Sequence, residues 1–168
     1  MENTENLPDH IRRRVVFLLN EALLNSPRDQ VVTYCMRVLS NYATVGFDSG
    51  SYKIKITNKR VSRKAETLLK NSKSLKDWSE ECINEHEIPL KEIWEWLCSD
   101  ASRLSPEDVW SKFLDSKMVT VTKEEDKKLN SSGLRSKSGV LGRYSCSGIE
   151  IVDLEFSPNK LFGEKFNN

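Results

Sequence analysis

Apolar side chains recur at helical spacing in two successive stretches near the start of the chain, and this pattern constrains the fold most. It predicts a first helix near residues 8–25. A second helix is expected after Ser26 and Pro27, as cap and first helical residue. The short connection between the two helices predicts an antiparallel helical hairpin. The apolar positions are Ile11, Val15, Leu18 and Ala22 in the first helix and Val31, Cys35, Val38 and Tyr42 in the second.

Three later stretches have the character of β-strands. The segment SYKIKIT alternates apolar and basic residues over 52–57, MVTVT covers 118–122, and GIEIVDLEF covers 148–156. Alternation with a period of two is typical of a strand with one buried face, so these stretches predict a small sheet. Between the first two strands, residues 58–82 predict a long helix with a break near KNSKS.

Further helices are predicted where proline and capping residues coincide. One helix should begin at Pro89, and another should follow Ser105 as cap with Pro106 in the first position. Thr122 and Glu125 have the spacing of a capping box that opens a short helix. The expected fold is therefore α+β and mostly helical. We expect a single domain over 1–168, with a helical part of about 8–116 and a small α/β part of about 117–160.

The formal net charge of +1 conceals two opposed segments. The basic segment, residues 52–76, has nine Lys or Arg and one Glu, whereas the acidic segment, residues 77–100, has eight acids and one Lys. Clustered cations on one face release counterions from nucleic acid, which predicts nucleic-acid binding. Alternatively, the acids neutralise these cations within the fold or across a homodimer. The predicted phosphate contacts are Lys53, Lys55, Lys59, Arg60, Arg63 and Lys64.

The stretch Glu85-His86-Glu87-Ile88-Pro89 resembles the first half of the HNH, or ββα-metal, nuclease motif. The resemblance implies a metal-dependent phosphodiesterase that uses Mg²⁺ or Mn²⁺. In it, Glu85 would be a metal ligand and His86 the general base, which fits the chemistry of a neutral imidazole and a Lewis-acidic ion.

The resemblance covers five residues, and the second half of the motif is not found. The first asparagine after it is Asn130, and no histidine follows. Under a purely structural interpretation, Pro89 opens a helix, Glu87 lies near its positive end, and His86 is a capping or partly buried polar group.

The segment GLRSKSGVLGRYSCSG is rich in glycine and serine and predicts a long loop. Its basic residues Arg135, Lys137 and Arg143 could approach a phosphate, although the segment matches no phosphate-loop pattern and an ordinary loop explains it equally.

Four widely spaced cysteines favour free thiols and a cytoplasmic location. No stretch is long and apolar enough to predict a membrane span.

Two functions are therefore predicted. The first is a nucleic-acid-binding protein, in its enzymatic form an HNH-like nuclease, or a component of a phage or plasmid DNA-processing system. The second is a non-enzymatic interaction module, such as an inhibitor, antitoxin or homodimeric adaptor, in which Trp96 contacts a protein partner.

Overall fold

The computed structural model of this chain describes residues 7–135, 139 and 142–165. Its fold is α+β and mostly helical, as predicted, with a small four-stranded sheet. The helices are α1 (Asp9–Leu23), α2 (Gln30–Val45), α3 (Ser51–Thr57), α4 (Arg63–Asn71), α5 (Leu75–Glu80), α6 (Leu90–Asp100), α7 (Pro106–Leu114), α8 (Lys123–Ser131), α9 (Arg143–Cys146) and α10 (Pro158–Lys165). The strands are β1 (Arg60–Ser62), β2 (Cys82–His86), β3 (Met118–Thr122) and β4 (Ile151–Asp153).

The N-terminal helical hairpin is confirmed. The helices α1 and α2 pack against each other and against α7, and α1 also packs against α6. The predicted stripe of α1 is buried in this core, whereas the stripe of α2 begins one residue later than predicted, because Val32 is buried and Val31 is 61% exposed. The predicted start of α2 at Pro27 is wrong. The helix begins at Gln30, because the Asp29 side chain accepts a hydrogen bond from Val32 N at 2.9 Å and caps it.

The sheet has the order β2-β3-β1-β4. Strand β3 lies inside it, antiparallel to β2 with His86 opposite Met118, and parallel to β1 with Val61 opposite Thr120. All five residues of β3 are buried, so the predicted strand at 118–122 is confirmed as a core strand. The predicted strand at 148–156 is confirmed only for Ile151–Asp153, which pairs antiparallel with β1.

The predicted strand at 52–57 is wrong, because these residues form helix α3. Both Ile54 and Ile56 are buried although they point in different directions around the helix. The helix can bury both because it contacts β2 on one side and α10 on another. A helix that buries apolar residues on two sides can therefore have the alternating apolar and polar sequence that is typical of a strand.

The single helix predicted over 58–82 is also wrong. This stretch forms β1, α4 and α5, with the break at 72–74 where the sequence placed it, and Cys82 begins β2. Strand β1 has three residues, which is too short to show a period of two. Strand β2 is the polar sequence CINEH, whose residues other than the first are only partly buried.

The predicted helix starts at 89 and 106 agree with α6 and α7, and Ser105 and Asp108 form a capping box. The capping box of Thr122 and Glu125 at the start of α8 is confirmed as well. Part of the predicted glycine-rich loop, residues 136–138, 140 and 141, lies outside the described residues.

Candidate functional site

The end of strand β2 brings charged residues together on both faces of the sheet. Successive side chains of a strand point to opposite faces. Asn84 and His86 therefore share the face that meets α3, where the Asn84 amide donates to the carbonyl of Ser51 at 3.2 Å. Glu85 and Glu87 share the other face, which meets α9. The side chains of Glu85 and His86, the two residues of the HNH-like stretch, therefore point to opposite faces of the sheet, although both residues border one polar cleft.

On the α9 face, Glu85 forms an ion pair with a buried arginine. Arg143 is 2% exposed, and its Nη2 lies 3.1 Å from Glu85 Oε2. Its Nη1 donates to the His86 carbonyl at 3.1 Å, which fixes the guanidinium against the end of β2. Gly142, with φ of 84°, supplies the left-handed turn that leads into α9 and places Arg143 there.

The environment of Glu85 disfavours its charged form. Burial raises the pKa of Glu85 to about 7, although the positive charge of Arg143 acts in the opposite direction. The neighbouring carboxyl of Asp126, on α8, adds to the rise. Glu85 therefore titrates near neutral pH.

A second ion pair and a tyrosine complete this side. Arg60 Nη2 lies 3.0 Å from Glu87 Oε2, and the buried Tyr144 is close enough to Arg143, Glu85, Glu87 and Arg60 for all four charges to affect its hydroxyl. A cavity of about 390 Å³, which we call the arginine cavity, is lined by Arg60, Glu87, Arg143 and Tyr144 among others.

On the other face, His86 lines a polar cleft of about 760 Å³ between α2, α3 and β2, which we call the α2–α3 cleft. Its Nε2 is buried and has no hydrogen-bond partner among the described residues. Burial lowers the pKa of His86 to about 4, and the nearby Arg37 and Arg143 lower it further. The imidazole is therefore neutral at pH 7. The other lining side chains include Tyr34, Arg37, Asn41, Asp48 and Asn84.

The helices bordering this cleft carry exposed aromatic and basic side chains. Tyr34 on α2 is 65% exposed, and Tyr52 on α3 is 48% exposed. Arg37 and Lys53 are also exposed, and neither forms an ion pair with any residue that the structure describes. Neither tyrosine was proposed as a site residue from the sequence, since Tyr34 merely interrupts the apolar pattern of α2 and Tyr52 fitted a strand.

The basic segment is largely engaged within the fold. Lys55 Nζ donates to the carbonyls of Ser79 and Cys82 at 2.5 and 2.9 Å, and burial lowers the pKa of this lysine. Lys59 donates to the carbonyl of Glu155. The other predicted phosphate contacts, Lys53 aside, are salt-bridged: Arg60 to Glu87, Arg63 to Glu66 and Glu150, and Lys64 to Glu124.

The residues of the HNH-like stretch do not fit a divalent metal ion well. Glu85 faces the guanidinium of Arg143, whose positive charge would repel a second cation, and His86 lies on the opposite face. Across the described ranges, no three His, Cys, Asp or Glu side chains are grouped as metal ligands. The metal-dependent hypothesis stays a prediction that a cleavage assay tests.

The two buried cysteines, Cys35 and Cys82, are not activated as nucleophiles. All four cysteines are free, and burial raises the pKa of Cys35 to about 11 and that of Cys82 to about 12. A thiol becomes nucleophilic as the thiolate, so these two are inert at neutral pH.

Comparison with known proteins identifies no relative: no family model, no curated protein and no solved structure matches this chain. None of the described helices combines the length and apolar character that a membrane crossing requires.

Proposed function

We propose that this protein binds single-stranded nucleic acid in the α2–α3 cleft. The proposal rests on one observation, the pair of exposed tyrosines, Tyr34 and Tyr52, on the two helices that border a polar cleft. Stacking of a base on an aromatic ring contributes about 1–3 kcal/mol and tolerates any sequence.

The charged side chains around the cleft support contacts of moderate strength with the phosphate backbone of the nucleic acid. Arg37 and Lys53 lie beside the two tyrosines and are available to phosphates, whereas Asp48 is held by the Asn41 amide at 2.7 Å and offsets part of the positive field. With two phosphates neutralised, log K should fall with log salt with a slope of about −1.4. This is far shallower than a fully exposed basic segment would produce.

The experiment is fluorescence anisotropy with a labelled single-stranded 12-mer, titrated at several salt concentrations. Tyr34→Ala should weaken binding about tenfold, since it removes one stacking platform. The matched control is Phe156→Ala, an exposed aromatic outside the cleft, which should bind like the parent. Equal losses in both variants, or no binding at low salt, would contradict the proposal.

Two variants that each remove one positive charge test separately where the nucleic acid binds. Arg37→Gln should weaken binding several-fold, whereas Lys64→Gln should not, because Lys64 lies on α4, outside the cleft, and is paired with Glu124 at 3.1 Å. A larger loss with Lys64→Gln would move the contact surface to the face that carries α4.

A second candidate function is a protein interaction module, and it is favoured by a different surface. Leu23, Leu24 and Val31 lie at the connected end of the α1–α2 hairpin and are all more than half exposed, Leu24 at 74%. Trp96, the predicted anchor, is half-buried with Lys112 Nζ 5.4 Å from the ring centroid. Light scattering of Leu24→Ser tests this candidate: a parent that self-associates and a variant that does not would support it.

A further inference from the structure

The arginine cavity, on the face of the sheet opposite the α2–α3 cleft, holds several buried donors that lack acceptors. Arg143 Nε and Nη2, Arg60 Nε and the Tyr144 hydroxyl are all buried and have no hydrogen-bond partner among the residues the structure describes. Glu85 lies within ion-pair distance of Nη2 but is not aligned for a hydrogen bond. Native proteins leave few buried polar groups unsatisfied, so four such atoms around one cavity require an explanation.

The chemistry of these atoms defines what is missing. A guanidinium has five donors and no acceptor, so only an acceptor can satisfy it. Each arginine uses part of its donor set inside the fold, since Arg60 binds Glu87 and Arg143 binds the His86 carbonyl, and each keeps its Nε without a partner. Arginine pairs of this kind are suited to oxyanions, whose several oxygens match the planar fork.

We propose that the arginine cavity binds a small tetrahedral oxyanion, such as sulfate or phosphate, between Arg60, Arg143 and the Tyr144 hydroxyl. The cavity volume of about 390 Å³ is more than ten times the roughly 30 Å³ that a water occupies in the liquid, so it has room for such an ion. The four donor atoms have almost no accessible surface, so the side chains of Arg60, Arg143 and Tyr144 would have to shift for the ion to reach them. The three side chains come from β1 and α9, and Arg143 is bound to the His86 carbonyl at the end of β2, so the site is built into the fold.

Charge balance indicates that the protein takes up a proton when the anion binds. The formal charges of Arg60 and Arg143 are cancelled by Glu87 and Glu85, and Glu150, which also lines the cavity, is paired with Arg63. An anion would therefore enter a neutral site unless one carboxylate is protonated. Glu85 is the group that can accept the proton, because it already titrates near neutral pH. It is faced by Arg143 from α9, by Asp126 from α8, by Arg135 after α8, and by Tyr144. Oxyanion binding should therefore take up a proton at Glu85.

Sulfate is the appropriate probe, because its charge does not change between pH 6 and pH 8. Isothermal titration of sulfate into the full chain, in chloride buffer of matched ionic strength, should give saturable binding. The affinity should be up to about tenfold higher at pH 6 than at pH 8, and Glu85→Gln should remove this dependence. Absence of saturable binding in the parent, or an affinity that does not depend on pH, would overturn the proposal.

Tyr144→Phe is the decisive variant, because it removes only a hydroxyl that has no partner. It should weaken sulfate binding about tenfold while the midpoint of thermal unfolding in chloride stays the same or rises. The control is Arg103→Gln, an exposed arginine outside the cavity, which should bind sulfate like the parent. Equal sulfate affinity in Tyr144→Phe and the parent would show an adventitious surface ion and overturn the proposal.

The cavity and the cleft are tested independently. Tyr144→Phe should leave binding of the 12-mer unchanged, because the oligonucleotide is proposed to occupy the other face of β2. A parallel loss of 12-mer and sulfate binding in this variant would assign the cavity to backbone phosphates and overturn its role as a site for a free ion.

Discussion

Glu85 and His86 are neighbours in the chain, and their pKa values are displaced in opposite directions, to about 7 and about 4 respectively. Burial is the main cause in both cases, because it disfavours the charged form of an acid and of a base alike. The strand pleat sends the two side chains to different faces, yet the positive charge of Arg143 lowers the pKa of both, and Arg37 lowers that of His86 as well. At pH 7 the imidazole is therefore neutral and Glu85 is about half ionised.

His86 should stabilise the fold only while it remains neutral. Its folded pKa of about 4 lies below the unfolded value of 6.5, so its contribution is present above pH 6.5 and is lost as the pH falls towards 4. Between pH 7 and pH 4.5 the stability lost from this group is about 2 kcal/mol. Urea unfolding at pH 7 and pH 4.5 measures the free energy of unfolding of the parent and of His86→Gln, and the difference between the two proteins should be smaller at pH 4.5. A difference that stays constant would contradict the shift.

Glu85 should have the opposite pH dependence. Its folded pKa of about 7 lies above the unfolded value of 4.5, so its contribution is present below pH 4.5 and is lost as the pH rises through 7. Glu85→Gln keeps the shape of the protonated acid and should therefore become more stable relative to the parent between pH 5 and pH 8. The same urea titrations measure this change, and a relative stability that falls over that range would contradict it.

Glu125 should be important for stability because it connects two helix starts. Its Oε2 accepts from Ser62 Oγ at 2.5 Å and from Thr122 N at 2.9 Å, and Ser62 and Thr122 cap α4 and α8 at the ends of parallel strands. Glu125→Ala should lower the free energy of unfolding by about 3 kcal/mol, since it leaves buried donors unsatisfied. The adjacent Glu124→Ala, on an exposed side chain, should change it by less than about 0.5 kcal/mol.

A cleavage assay separates nucleic-acid binding from nuclease activity. With Mg²⁺ or Mn²⁺ we expect no cleavage of single- or double-stranded DNA or RNA, because Arg143 occupies the side of Glu85 where a cation would have to bind. Gel analysis of labelled substrates after long incubation provides the measurement. Metal-dependent products that disappear in His86→Ala would instead establish the nuclease that the HNH-like stretch implies.

The residues at the two proposed sites were only partly predictable. Glu85 and His86 were found from a local pattern, and Arg143 was noted as a basic residue in a glycine-rich segment. Arg143 and Glu85 form an ion pair although they are 58 positions apart in the chain, because α9 returns to the end of β2. Tyr34 gave no indication at all, since an exposed tyrosine on an amphipathic helix has no distinctive pattern.

The sequence by itself determined the local structure wherever spacing and capping residues act over a few positions: the α1–α2 hairpin, the strand at 118–122, the Ser105 cap and the capping box of Thr122. Only the tertiary structure decided that residues 51–57 form a helix and that the basic segment is mostly neutralised. These outcomes depend on which groups from distant parts of the chain lie next to each residue, such as Glu150 next to Arg63 and the carbonyl of Ser79 next to Lys55. The free energy of a charge or of an apolar residue is set by its surroundings in space, and those surroundings come from parts of the chain that local patterns do not connect.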